Sequence, residues 1–177
     1  MKATNLAELY DLPTLDWTPV QKELEAVLSQ APGTGGPNRH TYWLTTINPD
    51  GSPHVTGVGA SPLIDGSIFI VTGDHTRKGR NLSRDARCTI AVAADDHDVI
   101  IEGRAEKVTD PAVVADIARL FADDGWPASV DESGVAITAE YSAPSAGPPP
   151  WFVYRITPRR ATALRVVDPG GATRWDF

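Results

Sequence analysis

Residues 71–82, VTGDHTRKGRNL, set a hydroxyl-rich turn in front of a run of cations. From Thr72 to Cys88 the chain carries Arg77, Lys78, Arg80, Arg84 and Arg87 against only Asp74 and Asp85. The chain as a whole is acidic, with a formal net charge of -7. A local cation cluster in an acidic chain asks for an anion, and the chemistry on offer is phosphate recognition. The pattern reads as a strand ending at Thr72, a turn, and a helix beginning near Lys78. The start of a helix presents unpaired N–H groups and the positive end of the helix dipole. Thr76 supplies a hydroxyl and a cap. Arg77 offers a planar fork for phosphate oxygens and Lys78 a point charge. Thr76, Arg77 and Lys78 are compact enough in sequence for one phosphate group. The competing reading of a bare charge run is a solvated helix face.

Few other residues suggest chemistry. His40, His54, His75 and His97 are scattered. His54 and His75 flank the proposed site, but no carboxylate cluster sits at ligand spacing, so no metal site is expected. Asp95, Asp96 and Asp98 crowd His97 in what reads as a solvated hairpin tip. Cys88 is the single cysteine. That excludes an intrachain disulfide and a cysteine-based zinc site, and a small apolar role in its strand is expected. Trp126, Trp151 and Trp175 are either core residues or walls of a substrate cavity. With His54 and His75, Trp151 and Trp175 make up the candidate substrate pocket. A sequence pI near 5.0 argues against a broad nucleic-acid-binding face. No apolar run is long enough for a membrane span, and the N-terminus lacks an apolar signal core. A cytoplasmic protein is the plain expectation.

The elements that must position these residues are mostly strands. Residues 1–18 lack periodicity and read as an N-terminal arm, with a single domain over 19–177. TPVQKELEAVLSQ reads as a helix, with Thr18 as cap, Pro19 at its first position, and Val20, Leu24, Val27 and Leu28 at helical spacing. APGTGGPN ends it. HTYWLTTIN, SPHVTGVGAS and SIFIVTG then form a three-strand meander through turns at 49–51 and 64–66. A short helix, RKGRNLSRD, precedes two more strands, RCTIAVAA and HDVIIEGRAEKVT. Asp110-Pro111 opens a helix whose stripe is Val113, Val114, Ile117, Leu120 and Phe121. A second short helix is expected near Val135 to Tyr141. SAPSAGPPP is a linker or a lid, and WFVYRIT and RATALRVV are a closing pair of strands. Six or seven strands with two principal helices make a mainly β fold, a closed antiparallel barrel with helical additions.

IFIVTGDHTRKGRNLSRDARCTIAV resembles the segment of pyridoxamine 5'-phosphate oxidase-like split-barrel proteins in which a strand precedes a Ser/Thr-Arg-Lys triplet. TTINPDGSPHVTGV resembles the first hairpin of that family, and VIIEGRAEKVTDP its later strand. The resemblance spans roughly residues 40 to 122, and more loosely 150 to 177. It implies an FMN-binding type of antiparallel split barrel, a homodimer, and a flavin-type cofactor. Thr76, Arg77 and Lys78 match the residues that hold the cofactor phosphate. Val71 and Thr72 match the strand end along the ring or ribityl chain. The strand Val55 to Ser61, with Val58, Gly59 and Ser61, matches the one beside the ring, and its glycines leave room for close approach. In the vitamin B6 oxidases proper, that strand carries an arginine and a lysine. VTGVGAS has neither, which argues against that activity and favours the deazaflavin coenzyme F420 over FMN. The implied reaction is hydride transfer to or from a small organic substrate, for which no catalytic side chain is required. Non-catalytic cofactor binding, or haem binding with His54 or His75 as axial ligand, are the alternatives.

Overall fold

Strand periodicity governs most of the chain. The computed structural model describes residues 1–26, 40–143 and 146–177. Its strands are β1 (Lys2–Asn5), β2 (Tyr42–Ile47), β3 (Pro53–Val58), β4 (Ile68–Thr72), β5 (Arg87–Ala93), β6 (His97–Lys107), β7 (Ser129–Val130), β8 (Ile137–Thr138), β9 (Phe152–Arg165) and β10 (Gly171–Asp176). The helices are α1 (Trp17–Ala26), α2 (Arg77–Arg84) and α3 (Pro111–Asp123). β6 alternates buried and exposed residues from His97 to Glu106, so one of its faces is core and the other is not.

The main sheet runs β1-β10-β9-β6-β5-β2-β3, antiparallel throughout, and β4 joins it by pairing with β9. β9 is the strand on which the sheet divides. Its first half pairs with β4 and its second half with β10, while β6 follows it along both. A register shift between Glu102 and Gly103 marks the division. A Cβ on Gly103 would stand 2.5 Å from the Thr157 carbonyl oxygen, so only glycine lets the strands approach this closely. Past the end of β3, Ala60 bridges to Ile70 and the Ser61 amide donates to the Phe69 carbonyl at 2.8 Å. That contact closes β3-β2-β5-β6-β9-β4 into a barrel, and β1 and β10 extend from the other half of β9.

Two apolar clusters hold this arrangement. The first fills the barrel with Tyr42, Leu44, Ile70, Ile90, Ile101 and Ile156, joined by Val20 and Leu24 of α1. The second packs Val114, Ile117 and Phe121 of α3 against Phe69, Trp126 and Trp151. The α3 cap is as read from sequence: the Asp110 side chain accepts from the Ala112 amide, and Pro111 follows it.

Several local expectations are corrected. The stretch expected as an arm carries β1, which pairs with β10 from Lys2–Asp176 to Asn5–Thr173. α1 begins at Trp17, so Thr18 lies inside it rather than capping it. Val27 and Leu28 lie outside the described residues. β4 meets the strand before it only through the Ala60–Ile70 bridge and the Ser61–Phe69 bond, and its full ladder is made with β9, at least 80 residues later in the chain. Residues 137–138 are a strand, paired with β7 and bridged to Trp151, where a helix was expected. The expected closing pair of strands is the single strand β9, and its hairpin partner is the tail itself, β10. Among the described residues no helix is long and apolar enough to cross a membrane.

Candidate functional site

The site is built by a turn folded back on itself. β4 ends at Thr72 and α2 starts at Arg77. Between them, Thr76 caps the helix: its Oγ1 accepts from the Gly79 amide at 3.0 Å. The same hydroxyl donates to the Gly73 carbonyl at 2.8 Å, and the Thr72 hydroxyl lies 2.9 Å away. One donor and two acceptors are all a threonine hydroxyl has. Thr76 is therefore fully engaged in shaping the turn, and Thr72, 1% exposed, bonds to it. Gly79 is required by space. A Cβ there would sit 2.3 Å from the Gly73 carbonyl oxygen.

The five cations behind this turn sort into two groups. The Arg80 guanidinium donates to the His75 carbonyl, and that of Arg84 to the Ile47 carbonyl. Arg87 grips Asp85 through two nitrogens, Nε at 3.0 Å and Nη2 at 2.6 Å. That pairing holds the Asp85 carboxyl well below its ordinary range. These three cations serve the fold. Among the described residues, Arg77 and Lys78 have no ion pair and no side-chain hydrogen bond. Arg77 is exposed, whereas Lys78 is only 6% exposed. Burial pushes the Lys78 ammonium below its ordinary pKa. A buried cation without a counter-charge is costly unless something supplies that charge. The amides of Arg77 and Lys78 lie in the first turn of α2, where no intrahelical acceptor exists. Two cations and two free amides at one helix start make an anion cradle.

Neighbouring groups define its rim. His54 on β3 is half-buried, and its pKa is lowered by burial and then by the positive charges of Arg77 and Lys78. Arg77 also adds to the lowering of Asp50, which is caused first by hydrogen bonds from Ser52. Behind α2, the buried Asn81 donates through Nδ2 to Thr46 Oγ1 at 3.0 Å and to Asn48 Oδ1 at 3.1 Å. These bonds lock the helix onto β2. Asn81, Asp50 and Asp74 were not singled out in the sequence. An asparagine amid charged residues in an eight-residue helix is the sort of signal that could have exposed Asn81.

The other candidate residues fall in different places. Ser61 is buried, and its hydroxyl donates to the Pro62 carbonyl and accepts from the Phe69 amide, so it serves barrel closure. Val58 packs its side chain on the barrel core and Gly59 is exposed, leaving their backbone as the available surface. Val71 packs against the second cluster. His75 is exposed on the turn. Trp151 is buried beside the turn, its Cδ1 3.4 Å from where a Gly73 Cβ would lie, with its ring 5.7 Å from that of Trp126. Trp175 is not part of this region. It is buried against Trp17, between Ala3 and Ala161 of the neighbouring strands. His97 corrects the picture of a solvated hairpin tip. It is 4% exposed, and its Nδ1 lies 2.8 Å from Glu23 Oε1 on α1. Cys88 is buried, and burial pushes its thiol up to about 12, which keeps it inert. Among the described residues no three His, Cys, Asp or Glu side chains gather as a metal site would need.

The fold has known counterparts. The conserved hypothetical protein Rv2991 of Mycobacterium tuberculosis superposes with a TM-score of 0.59 at 23% identity, covering 86% of each chain. A pyridoxamine 5'-phosphate oxidase-related, FMN-binding protein of Nostoc punctiforme gives a TM-score of 0.53 at 17% identity, over 75% of this chain and 78% of the other. A protein described as an F420 reductase gives 0.51 at 16% identity, over 80% and 94%. At these identities the likeness is one of fold. No curated protein matches the chain in sequence. The profile of the pyridoxamine 5'-phosphate oxidase family matches residues 22–164. With that match over most of its length, on a split barrel with a cation-lined turn after β4, the chain belongs to the pyridoxamine 5'-phosphate oxidase family.

Proposed function

We propose that this protein is an oxidoreductase that binds the phosphate of a flavin-type cofactor at Arg77 and Lys78, with coenzyme F420 preferred over FMN. The observation that carries this reading is Lys78, a largely buried side chain whose ammonium has no counter-charge and no hydrogen bond among the described residues. A ribityl phosphate fits the need: Lys78, Arg77 and the two free amides would hold it. The bound cofactor would supply the hydride chemistry. The chain's own part is to hold, orient and shield it. The backbone of Val58 and Gly59 offers a surface for the ring, and Thr72, Thr76 and Gly79 keep the cradle in shape. The preference for F420 rests on charge. A terminal phosphomonoester carries nearly twice the charge of the phosphodiester in F420. β3, from Pro53 to Val58, contributes no cation to neutralise the difference. The same lack of cations sets the chain apart from a vitamin B6 oxidase.

A second copy of the chain completes the reading. The outer face of the sheet exposes Trp43, Val55, Ile100 and Leu164. Trp43 and Ile100 both flank Ala91 in register, so the apolar surface is continuous across β2, β5 and β6. A groove of about 440 Å³ runs along it. Exposed apolar surface of this continuity is an interaction face, and a two-fold homodimer would bury it. The test of the whole reading is a fluorescence titration of the purified protein with F420 and with FMN. A dissociation constant in the micromolar range or below is expected for F420, and weaker binding for FMN. Reoxidation of the bound, reduced cofactor by enones or quinones would establish turnover. Binding of neither cofactor would remove the proposal.

A further inference from the structure

Asp74 stands at the outer corner of the turn that shapes the cradle, and it is clamped from two strands. Lys107 Nζ, at the end of β6, lies 2.8 Å from Asp74 Oδ1 and 2.7 Å from Oδ2. The Tyr154 hydroxyl of β9 donates to Oδ1 at 3.3 Å. Lys107 and Tyr154 are register partners, so the two donors come from adjacent positions of one ladder. The Lys107 ammonium is itself fixed, 3.7 Å from the centroid of the Phe152 ring. Phe152 is the register partner of Thr72, the residue that ends β4. The clamp therefore ties the turn to β9, the strand that pairs with β4 where the turn departs, and to β6 on the far side of β9. Inside the turn, the Gly73 carbonyl receives both the Thr76 amide and the Thr76 hydroxyl and touches Gly79. A shift of the Gly73-Asp74 corner would move the cap, and with it the amides of Arg77 and Lys78.

A carboxylate beside a phosphate cradle is otherwise a liability. By charge alone Asp74 repels the anion that Lys78 and Arg77 attract. Its presence makes sense when its charge is tied up and its position is what matters. We propose that Lys107, with Tyr154, is a positioning residue for phosphate binding. Packed on Phe152, it fixes Asp74 and so aims the Gly73–Thr76 turn and the start of α2 at the phosphate. The inference rests on the phosphate reading of Arg77 and Lys78 given above.

The test compares FMN with riboflavin, which differ only in the phosphate, or, where only F420 binds, F420 with its deazaflavin riboside, which lacks the phosphate and the acidic tail beyond it. Affinities are measured by fluorescence for the full-length wild type and for Lys107→Met, Lys107→Arg and Asp74→Asn, with circular dichroism as a check on folding. The wild type should prefer the phosphate-bearing ligand. Lys107→Met and Asp74→Asn should each reduce that preference by about tenfold, the equivalent of one charge-assisted contact, and leave the phosphate-free ligand unaffected. Lys107→Arg should restore most of it. Asp74→Asn is the decisive variant. Removing a negative charge near a bound anion raises affinity by relieving Coulomb repulsion, whereas loss of positioning lowers it. A preference that is unchanged or raised in Asp74→Asn, with the wild-type preference intact, overturns the positioning role and leaves the phosphate site standing. Equal affinity of the wild type for both ligands, or no binding of either phosphate-bearing ligand, overturns the phosphate reading and this inference with it.

Discussion

Replacing Lys78 by methionine should do two opposite things to the protein. Methionine keeps a long unbranched side chain and removes the charge, so the packing around a residue that is 6% exposed changes little. The apoprotein loses a buried cation whose ionised form burial already disfavours, so its melting temperature should rise. Cofactor binding should weaken. A charge-assisted hydrogen bond contributes about 1.5–3 kcal/mol, which corresponds to a rise in Kd of roughly 10- to 150-fold. The upper part of that range is expected, because the Lys78 side chain is largely buried. Thermal melts with and without ligand read both effects at once. Ligand at about 100 times the wild-type Kd adds about 2.7 kcal/mol of stability, roughly 5–10 °C for a chain of this size. Most of that shift should vanish in Lys78→Met. The reasoning is refuted if the variant melts lower than wild type and binds the cofactor equally well. Lys78 would then be buried for its aliphatic stem, with no anion to meet.

Three further variants test the geometry. Arg77→Ala should weaken cofactor binding less than Lys78→Met, because Arg77 is exposed and screened by solvent. The same variant should raise the pKa of His54 by removing one of the two charges that lower it, and a cofactor phosphate should do likewise; imidazole proton NMR over a pH series measures both. Gly79→Ala should destabilise the fold by about 1–3 kcal/mol, since its Cβ would stand 2.3 Å from the Gly73 carbonyl oxygen; chemical denaturation would show it, and an unchanged midpoint would mean that the turn is not packed as described. On the proposed homodimer, the wild type should elute as a dimer in size-exclusion chromatography with light scattering, and Ile100→Asp, on the 45% exposed Ile100 of the outer sheet face, should leave a folded monomer.

The parts of this architecture that were legible in sequence are those fixed by local chemistry. β5, β6, α3 and the Thr76 cap rest on alternation, helical spacing and a hydroxyl before a helix, and all three signals act within a few residues. The misread parts depend on distant partners. β1 has no periodicity of its own and is a strand because β10 lies beside it. β4 was placed beside β3 by proximity in the chain, but its ladder is made with β9. Residues 152–165 look like two strands because Pro158 and a register shift interrupt the middle, yet β6 follows them on both sides of the break. At the site, the cations could be counted but not sorted. Nothing local separates Arg80 and Arg84 from Arg77 and Lys78. Only the fold brings the His75 and Ile47 carbonyls to the first pair and no partner among the described residues to the second.

That sorting also answers why an acidic chain gathers cations at this place. A helix start that must present bare amides to a ligand cannot also bond them to the protein, so its stability has to come from elsewhere. Here it comes from the back and the end of α2. Asn81 bonds Thr46 and Asn48, Arg84 holds a β2 carbonyl, and Arg80 holds the turn itself. With the helix anchored through these side chains, Arg77, Lys78 and their amides are left free of structural duty. On the phosphate reading proposed above, those free groups are what an arriving anion would need, held in place before it arrives. A weakening of the anchors should therefore appear as lost phosphate affinity even where no ligand contact is touched. Asn81→Ala is the cleanest case, since it removes the bonds to Thr46 of β2 and to Asn48 just after it. It should lower phosphate-dependent affinity while Arg77 and Lys78 remain in place, and undiminished affinity in a folded Asn81→Ala protein would show that α2 needs no such anchoring.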